Sequence, residues 1–451
     1  MDEKIFRSYD IRGKYPSQIN EDLAYKIGLG YGSILQEKYN QTACIVSHDN
    51  RISSPILHKF LIKGLLETGI NVIDYGLTTT PMNYFARHIN NLYGIMITAS
   101  HNPSDENGFK FSFDQFANAR GEMITEFKDY INNNKFLKGN GHLTEKSIKH
   151  EYINYLKNNI KLGNKKLKIV LDPANGSVTS ILLDAIKEFD IDYTIINGES
   201  DGTFPNHHPD PAVEKNLEQL KEKVIANNAD VGFSFDGDGD RLGIIDNLGK
   251  MVSIEHYSIL LIRKMITEIN DKRFLYDAKC SDIFKDEVIK LGGKPIICRT
   301  GSSYTQEKIN KENIPYGFQY VGHIGINDRY YSTESSIYAL LRLLEILSNT
   351  TKTLNDLVST LPTYKNIEEI RFDSPDTKKR KVIENIKKYC IKNNFNFIEI
   401  DGLRVEFATG WAYVRASNTG PTITFRAEAK NNEDLEKINK LFTTLINLFN
   451  S

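Results

Sequence analysis

The sequence predicts an α/β fold with mostly parallel sheets, followed by a smaller α+β domain at the C-terminus. Three observations support this prediction: a length of 451 residues, a strand–helix–strand pattern that occurs three times, and a change of pattern near the end of the chain. Domains usually contain roughly 100 to 200 residues, so this chain exceeds one ordinary hydrophobic core. We therefore expect about three or four domains.

Each of the three similar units begins with a short apolar strand, continues through a polar turn and an amphipathic helix, and ends with a second strand. The strand pairs are predicted at 44–46 and 72–74, 167–171 and 193–196, and 274–276 and 295–297, with helices near 56–66, 181–189 and 284–291. This pattern is typical of parallel sheets. Because any α/β enzyme contains several such units, the pattern alone leaves open whether the three are homologous.

The last part of the chain has a different pattern. Short alternating strands surround a Ser-Asn-Thr-Gly-Pro turn between Glu406 and Arg426, and a helix follows Asn432. Short strands followed by a helix at the end of the chain are typical of a small α+β domain.

Composition and charge exclude several classes of function. The formal net charge is -1, so no global field attracts nucleic acid or an anionic membrane. We find neither a signal peptide nor an apolar run approaching the roughly 20 residues that span a bilayer. The cysteines match neither a metal-ligand spacing nor a compact disulfide framework; they are Cys44, Cys280, Cys298 and Cys390. We expect a cytoplasmic protein that binds neither nucleic acid nor membranes.

The sharpest motif is an acidic loop directly after an apparent strand, in which Asp236, Asp238 and Asp240 alternate with glycines. Glycine allows a tight turn, so the three carboxylates can converge on one hard cation, either Mg²⁺ or Ca²⁺. An EF-hand loop would need glycine and glutamate where this chain has Arg241 and Asn247. The motif therefore favours an open Mg²⁺ site that takes a phosphate ligand, and the alternative is a solvated acidic turn.

A second motif is an apolar strand that begins at Gly94, ends in small and polar residues, and is stopped by Pro103. Ser100 lies at the exit of this strand and is followed by His101. Because α/β sheets place their ligands at the carboxyl ends of parallel strands, the Ser100 hydroxyl is a candidate nucleophile. Taken alone, the same residues also fit an ordinary turn or helix cap.

Two motifs near opposite ends of the chain contain an arginine. Arg12 lies just before a glycine near the N-terminus, which is a weak signal by itself. Near the C-terminus, a short turn combines a guanidinium, two hydroxyls and an amide in Arg415, Ser417, Asn418 and Thr419. These groups together suit an oxyanion such as phosphate, and the alternative is a polar β-turn beside a surface arginine.

Taken together, the motifs resemble the α-D-phosphohexomutase family, particularly its bacterial phosphomannomutase/phosphoglucomutase branch. The matching segments are 6–13, 98–110, 201–213, 235–241, 276–280 and 401–429. The resemblance implies three related mixed-sheet α/β domains plus a smaller C-terminal α+β domain around a central cleft. The implied domains are 1–145 with the phosphoserine, 146–249 with the metal-binding loop, 250–365 with the sugar-recognition loop, and 366–451 with the distal phosphate-binding loop.

The resemblance also implies an activity. Members interconvert hexose 1-phosphate and hexose 6-phosphate with Mg²⁺, here mannose and/or glucose phosphates, through phospho-Ser100 and a hexose 1,6-bisphosphate intermediate and activator. The implied catalytic residues are Ser100, Arg12, His101 and Lys110, and the implied metal ligands are Ser100, Asp236, Asp238 and Asp240. The implied substrate-binding residues are Tyr9, Arg241, Lys279, Gln319, His323, Arg415, Ser417, Asn418 and Thr419. We expect a monomer or homodimer whose partner is a small phosphosugar.

The sequence departs from the family in the segments that, by the resemblance, recognise sugar hydroxyls. The family loop usually reads Gly-Glu-x-Ser-Gly-His, but here Gln319 replaces the glutamate and Val321 replaces the serine. A neutral amide accepts hydrogen bonds more weakly than a carboxylate, and valine neither donates nor accepts. Upstream, Arg299 and Ser302 lie where the family commonly has lysine and histidine. An altered sugar preference, weakened sugar binding, and a phosphosugar-binding paralogue or phosphatase all remain open.

Overall fold

The structure is a computed structural model that describes residues 3–115, 117–331, 333–417 and 420–451. These residues form four sheets, each surrounded by its own helices, that follow one another along the chain. Three sheets combine parallel with antiparallel pairs, and the fourth is antiparallel throughout. The α/β fold with a C-terminal α+β domain is therefore confirmed. Among the described helices, none is both long enough and apolar enough to cross a membrane.

The first sheet has six strands and presents Ser100 at the end of a central strand. Its strands are β1 (Ile11–Lys14), β2 (Ala43–His48), β3 (Asn71–Leu77), β4 (Gly94–Ile97), β5 (Glu106–Phe111) and β6 (Leu143–Glu145). Its helices are α1 (Glu21–Tyr39), α2 (Ser54–Glu67), α3 (Thr80–Asn90) and α4 (Glu122–Asn132). The spatial order is β1, β5, β4, β2, β3, β6, and β2 runs parallel to both β3 and β4.

The second sheet has four strands in the order β10, β9, β7, β8. These elements are α5 (Lys149–Asn158), β7 (Leu167–Asp172), α6 (Leu182–Ile186), β8 (Ile191–Ile195), α7 (Glu218–Ala226), β9 (Val231–Phe235) and β10 (Leu242–Asp246). The helix predicted at 181–189 is shorter than expected. A 3-10 turn, Ser177–Ser180, precedes it, because the Thr179 and Ser180 hydroxyls bond back to carbonyls three residues earlier and compete with helix formation.

The third sheet also has four strands, in the order β12, β11, β13, β14. Its strands are β11 (Arg273–Asp277), β12 (Lys294–Cys298), β13 (Tyr316–Phe318) and β14 (Ile324–Ile326). Its helices are α8 (Ile254–Met265), α9 (Asp282–Lys290), α10 (Ser302–Glu312), α11 (Ser336–Ser348) and α12 (Leu354–Ser359). The strand pair predicted here, like the predicted pairs in the first two sheets, runs parallel.

The fourth sheet is a five-stranded antiparallel sheet in the order β15, β19, β18, β17, β16. Its elements are β15 (Lys365–Asp373), α13 (Lys379–Lys392), β16 (Asn396–Glu399), β17 (Leu403–Phe407), β18 (Gly410–Ala416), β19 (Thr422–Ala429) and α14 (Asn432–Asn450). The alternating strands and the final helix are as predicted, whereas β15, β16 and α13 were not predicted. We propose domain boundaries after 145, 249 and 365, although Lys365 itself already pairs with Ala429 in this sheet.

Buried contacts between the units bring their loops together. Phe85 on α3 lies 5.3 Å from the Tyr152 ring of α5 and 5.4 Å from the Tyr331 ring, which joins the first three units. The fourth unit packs on the third through the fully buried Trp411, which contacts Ala278 in a small apolar cluster. As a result, the loops that follow β4, β9 and β13 meet at one place.

Candidate active site

Ser100 lies at the carboxyl end of β4 and is 2% exposed. Its backbone is left-handed, with φ at 52°, and its amide donates to Thr98 Oγ1 at 2.8 Å. Its Oγ donates to Asp236 Oδ2 at 2.7 Å. Left-handed backbone is uncommon for residues other than glycine and occurs often at functional sites. The turn thus points the Ser100 hydroxyl at the acidic loop of the neighbouring unit.

The acidic loop is the turn between the antiparallel strands β9 and β10. Asp236, Asp238 and Asp240 are buried, and one oxygen of each lies within 4.8 Å of the others. The Asp236 Oδ1 accepts from the amides of Asp240 at 3.0 Å and Arg241 at 3.1 Å, which fixes the turn. At Gly237, an added Cβ would lie 2.4 Å from the carbonyl oxygen of Ser100, so only glycine lets the two loops touch.

The Lys110 ammonium lies between two of the carboxylates and donates to Asp238 and Asp240, each at 2.7 Å. Burial opposes the charged form of Lys110, but these carboxylates outweigh it and raise the Lys110 pKa well above its usual value. Burial together with the charges of Asp240 and Asp238 raises the pKa of Asp236 well above its usual range. One ammonium therefore does not balance three carboxylates, and additional positive charge would stabilise the group.

The free oxygens of this group fit a divalent cation. Asp238 Oδ1 and Asp240 Oδ1 are buried, and neither has a hydrogen-bond partner among the described residues. Asp236 Oδ2 accepts from the Ser100 hydroxyl at 2.7 Å and lies 3.9 Å from Arg241 Nε. Carboxylate and hydroxyl oxygens are the ligands that Mg²⁺ prefers. The donor set thus suits a magnesium ion beside Ser100.

Two further basic side chains surround Ser100. The Arg12 guanidinium donates to the carbonyl oxygen of Ala99 at 3.1 Å and pairs with Asp10 at 2.6 Å. The Nδ1 of His101 lies 3.3 Å from Ser100 Oγ. Burial, followed by the positive charges of Arg241 and Arg12, lowers the pKa of His101 well below its usual value. The Ser100 hydroxyl is thus next to an imidazole that burial and neighbouring positive charges keep neutral.

The third unit contacts the acidic loop through a histidine. Arg241 Nε donates to His323 Nε2 at 3.1 Å. Because a guanidinium can only donate, Nε2 accepts and the ring proton lies on Nδ1. This Nδ1 is 3.2 Å from Glu334 Oε2 and 3.4 Å from Asp240 Oδ1, between two carboxylates. Arg241 and His323 therefore link the second and third units at the site.

The 318–323 loop of the third unit, predicted to bind the sugar, holds its polar side chains in contacts with protein groups. Gln319 is buried, and its Nε2 donates to Thr305 Oγ1 at 3.1 Å. The neighbouring Tyr320 ring lies 3.8 Å from the Arg426 guanidinium. Lys279 is 5.7 Å from the same ring and pairs with a carboxylate of β15, Glu369, at 3.0 Å.

A second group of arginines lies where the fourth unit faces the first and third. Arg415 Nη1 pairs with Asp401 Oδ2 at 3.0 Å, and Arg299 Nη2 pairs with Asp401 Oδ1 at 3.2 Å. Together with Arg380 they line a cavity of about 480 Å³. The carboxylates of Asp401 and Glu384 also line this cavity, and the three guanidiniums are the groups in its wall that suit an anion.

The predicted turn beside Arg415 is described only in part. The carbonyl oxygens of Ser417 and Gly420 both accept from the Lys379 ammonium, at 2.5 and 3.0 Å. Asn418 and Thr419 lie outside the described residues. Tyr9 is close enough to interact electrostatically with both Arg12 and Arg415.

The structure thus places the predicted residues in two main groups. The first surrounds Ser100 and contains Arg12, His101, Lys110, Asp236, Asp238, Asp240, Arg241 and His323. The second surrounds Arg415, and Tyr9 lies close to both. Lys279 and Gln319 bond to Glu369 and Thr305 rather than to members of either group.

Comparisons with known proteins agree along the whole chain. Residues 3–138, 150–249 and 254–364 match the phosphoglucomutase/phosphomannomutase alpha/beta/alpha domains I, II and III, and residues 369–444 match the C-terminal domain of the same proteins. A phosphomannomutase/phosphoglucomutase from Pseudomonas putida is 35% identical over 447 residues, which cover 98% of this chain and 95% of the relative. The chain belongs to the phosphoglucomutase/phosphomannomutase family.

Other members of the family are similar over their full length. A phosphoglucomutase from Neisseria meningitidis serogroup A is 34% identical, with 98% of this chain and 96% of the relative covered. The crystal structure of a phosphoglucomutase/phosphomannomutase family protein from Burkholderia thailandensis gives a TM-score of 0.92 at 31% identity, covering 99% of this chain and 97% of that one. The resemblance seen in the motifs is confirmed, and the chain is a mutase of the phosphomannomutase/phosphoglucomutase type.

Three residues at this mutase site were not predicted. Thr80 Oγ1 donates to Asp238 Oδ2 at 2.7 Å, Glu334 faces His323, and Arg51 binds the backbone of the Ser100 loop. Arg51 follows β2, which runs parallel to β4. Thr80 follows β3, which runs parallel to β2. The carboxyl ends of these strands share one edge, so polar residues after each predicted strand were the available signal.

Proposed function

We propose that this mutase interconverts hexose 1-phosphate and hexose 6-phosphate, with glucose and/or mannose as the sugar, through phospho-Ser100 and a hexose 1,6-bisphosphate intermediate. The observation that carries the proposal is the 2.7 Å hydrogen bond from Ser100 Oγ to Asp236 within a buried group of three carboxylates. A nucleophilic hydroxyl beside a cation-binding group is the arrangement that phosphoryl transfer needs.

Mg²⁺ would be held by Asp236, Asp238, Asp240 and an oxygen on Ser100. When bound, it withdraws negative charge from the phosphoryl group as the bond to Ser100 breaks. Asp238 Oδ1 and Asp240 Oδ1, which are buried and have no hydrogen-bond partner among the described residues, support this assignment.

In the first half-reaction, a sugar hydroxyl oxygen attacks the phosphorus of phospho-Ser100, and the bond between phosphorus and Ser100 Oγ breaks. The guanidinium groups of Arg12 and Arg241 would donate to the phosphoryl oxygens. The attacking hydroxyl loses a proton and the released Ser100 Oγ gains one, and the neutral His101 would relay this proton, since its Nδ1 lies 3.3 Å from Ser100 Oγ. Lys110 would remain an ammonium between two carboxylates, which supports a charge-balancing role rather than that of a neutral base.

In the second half-reaction, the bisphosphate turns around and returns its other phosphoryl group to Ser100. The phosphate that is not reacting would be bound by Arg415 and Arg299 at the cavity of about 480 Å³, and we propose that Ser417, Asn418 and Thr419, which follow Arg415 in the sequence, also take part in binding it. Asp401 pairs with both guanidiniums and holds them at the cavity wall. Because these arginines bind the phosphate rather than the sugar, the cavity can accept either orientation of the bisphosphate.

We propose that the enzyme discriminates only weakly between sugars. Gln319 donates to Thr305, and Val321 offers no hydrogen bond, so neither supplies the carboxylate or hydroxyl that the family places here. With fewer fixed partners for the sugar hydroxyls, glucose and mannose phosphates differ little in binding energy.

The proposal is tested by incubating the enzyme with Mg²⁺, a trace of glucose 1,6-bisphosphate, and the 1-phosphates of glucose, mannose, glucosamine or N-acetylglucosamine. Formation of the 6-phosphates of glucose and mannose is the expected result. Release of inorganic phosphate without exchange between isomers would identify a phosphatase. Binding of the phosphosugars without either reaction would identify a binding paralogue and contradict the proposal.

A further inference from the structure

Arg51 lies in the turn after β2, and its side chain is completely buried, with 0% exposed. Its guanidinium donates to four backbone carbonyl oxygens of the loop that carries Ser100. These oxygens belong to Ser100 at 2.8 Å, Asn102 at 2.6 Å, Pro103 at 2.6 Å and Glu106 at 2.9 Å. One fixed cation therefore determines the backbone path of the whole 100–106 loop.

Arg51 is itself held by its own turn. Asp49 Oδ2 pairs with Arg51 Nε at 3.3 Å, and Asp49 Oδ1 accepts from the Arg51 amide at 3.0 Å. Asp49 Oδ1 also accepts from the Ser54 hydroxyl at 2.5 Å, at the start of α2. The carboxylate thereby fixes both the backbone and the guanidinium of Arg51.

The second unit contributes an aromatic ring to the same cation. The Phe204 ring centre lies 5.1 Å from the Arg51 guanidinium, within the range of a cation–π interaction. Phe204 has a left-handed backbone, with φ at 54°, which is a strained conformation for a bulky residue. The ring also lies 3.5 Å from the position of an added Cβ on Gly237 in the acidic loop. Phe204 therefore packs between Arg51 and the acidic loop.

The contacts of Arg51 affect the charge that the backbone presents to a phosphoryl group on Ser100. A backbone carbonyl oxygen carries partial negative charge and repels a phosphoryl group. Arg51 binds four such oxygens of the loop that carries Ser100, so they are turned toward a cation. Lysine cannot reproduce this, because its donors radiate from one nitrogen, whereas guanidinium donors form a wide planar fork.

We propose that Arg51 is a positioning residue for phosphoryl transfer. It holds the 100–106 loop so that Ser100 Oγ stays at Asp236, and Phe204 of the 201–213 segment keeps the guanidinium in place. The inference rests on the proposed function, because it concerns the loop that carries the phosphoserine.

The test compares Arg51→Lys with the wild type in two measurements. Intact-protein mass spectrometry follows the rate at which Ser100 gains a phosphoryl group from glucose 1,6-bisphosphate, and steady-state assays give kcat and KM. We expect the phosphorylation rate and kcat to fall about 10- to 100-fold, with KM changed by less than about twofold, because Arg51 acts on the reacting loop and not on the distal phosphate.

Arg342→Lys is the matched control. Arg342 is also 0% exposed and pairs with Asp328 at 2.6 Å, outside the two groups of site residues. We expect this variant to lose stability but to retain the wild-type phosphorylation rate. Should Arg51→Lys fail to fold, Phe204→Leu removes the ring that packs between the guanidinium and the acidic loop, and we expect its phosphorylation rate to fall about threefold to tenfold.

Two outcomes would overturn the inference. If wild-type Ser100 is phosphorylated and a folded Arg51→Lys or Phe204→Leu variant is phosphorylated at the same rate, Arg51 does not position the loop. If wild-type Ser100 gains no phosphoryl group at all, the proposed function fails, and this inference fails with it.

Discussion

The Ser100 hydroxyl donates a 2.7 Å hydrogen bond to Asp236, although the two residues lie 136 positions apart and follow strands of different sheets. The contact requires the two loops to approach without side chains between them. Gly237 provides this approach, because its α-carbon faces the carbonyl oxygen of Ser100. The position of the Ser100 hydroxyl relative to the acidic group therefore depends on how two sheets pack.

Gly237→Ala tests this packing. The new Cβ would lie 2.4 Å from the Ser100 carbonyl oxygen, so one of the two loops must move. We expect kcat to fall about 10- to 100-fold, because small displacements of reacting groups cost rate steeply.

Gly292→Ala is the control for that variant, since nothing lies within 4 Å of a Cβ added at Gly292; unlike Gly237, Gly292 has a left-handed backbone, with φ at 77°. It should cost about 1 kcal/mol of unfolding free energy and leave kcat unchanged. A Gly237→Ala enzyme with wild-type kcat would show that the loop contact is unimportant for turnover.

Asp238→Asn tests the metal site. The substitution removes one negative charge from the cation-binding group, so the Mg²⁺ concentration for half-maximal activity should rise about tenfold or more. Activity is measured across a magnesium titration. Asp246→Asn, at a buried carboxylate at the end of β10, is the control and should not change the Mg²⁺ requirement. An unchanged requirement in Asp238→Asn would place the cation elsewhere.

Arg415→Lys tests the group of arginines that we propose binds the phosphate that is not reacting. Lysine keeps the charge but loses the paired donors that grip phosphate, so KM for the hexose phosphate should rise about tenfold, with a smaller change in kcat. Arg371→Lys, at a 71% exposed arginine on the same sheet, is the control. Equal KM values for the wild type and Arg415→Lys would mean that the distal phosphate binds at other residues.

His207 provides a test of pH-dependent stability. Burial lowers the pKa of His207, but the hydrogen bond to Asp172 at 2.9 Å and the charge of that carboxylate outweigh burial and raise it. The protonated pair therefore stabilises the fold below the unfolded pKa of about 6.5, and this contribution is lost as pH rises through the higher folded pKa.

The His207 contribution is measured as the difference in unfolding free energy between the wild type and His207→Gln. Urea unfolding at about pH 5.5 and about pH 8.5 should give a larger difference at the lower pH. His150→Gln, at an exposed histidine that bonds to the Asn154 amide, is the control. A His207→Gln difference that is equal at both pH values would contradict the assignment.

Much of the fold and the reacting group could be predicted from the sequence. The parallel strand pairs follow from buried apolar runs separated by amphipathic helices. The acidic loop contains three carboxylates within five positions, so the motif itself indicates a cation-binding group. Ser100 was a weaker signal, and its assignment as the phosphoserine rests on the loop that it meets only in the folded chain.

Arg51 shows what the sequence could not supply. Its partners are backbone carbonyl oxygens located 49 to 55 positions away, and a carbonyl has no side-chain signature. The same limit applies to β15, most of whose residues are exposed or half-buried and polar, so its pattern does not identify a strand. Such features depend on tertiary packing, which local patterns do not encode.

The most direct test of the account is the phosphorylation state of Ser100 during turnover. The enzyme is incubated with glucose 1,6-bisphosphate, and samples are taken before and after glucose 6-phosphate is added. Each sample is then digested, and the peptide containing Ser100 is examined by mass spectrometry. The account predicts one phosphoryl group on Ser100 that is lost to the added sugar phosphate, and no labelling or turnover in a folded Ser100→Ala variant. Turnover in Ser100→Ala, or a phosphoryl group on another residue, would contradict it.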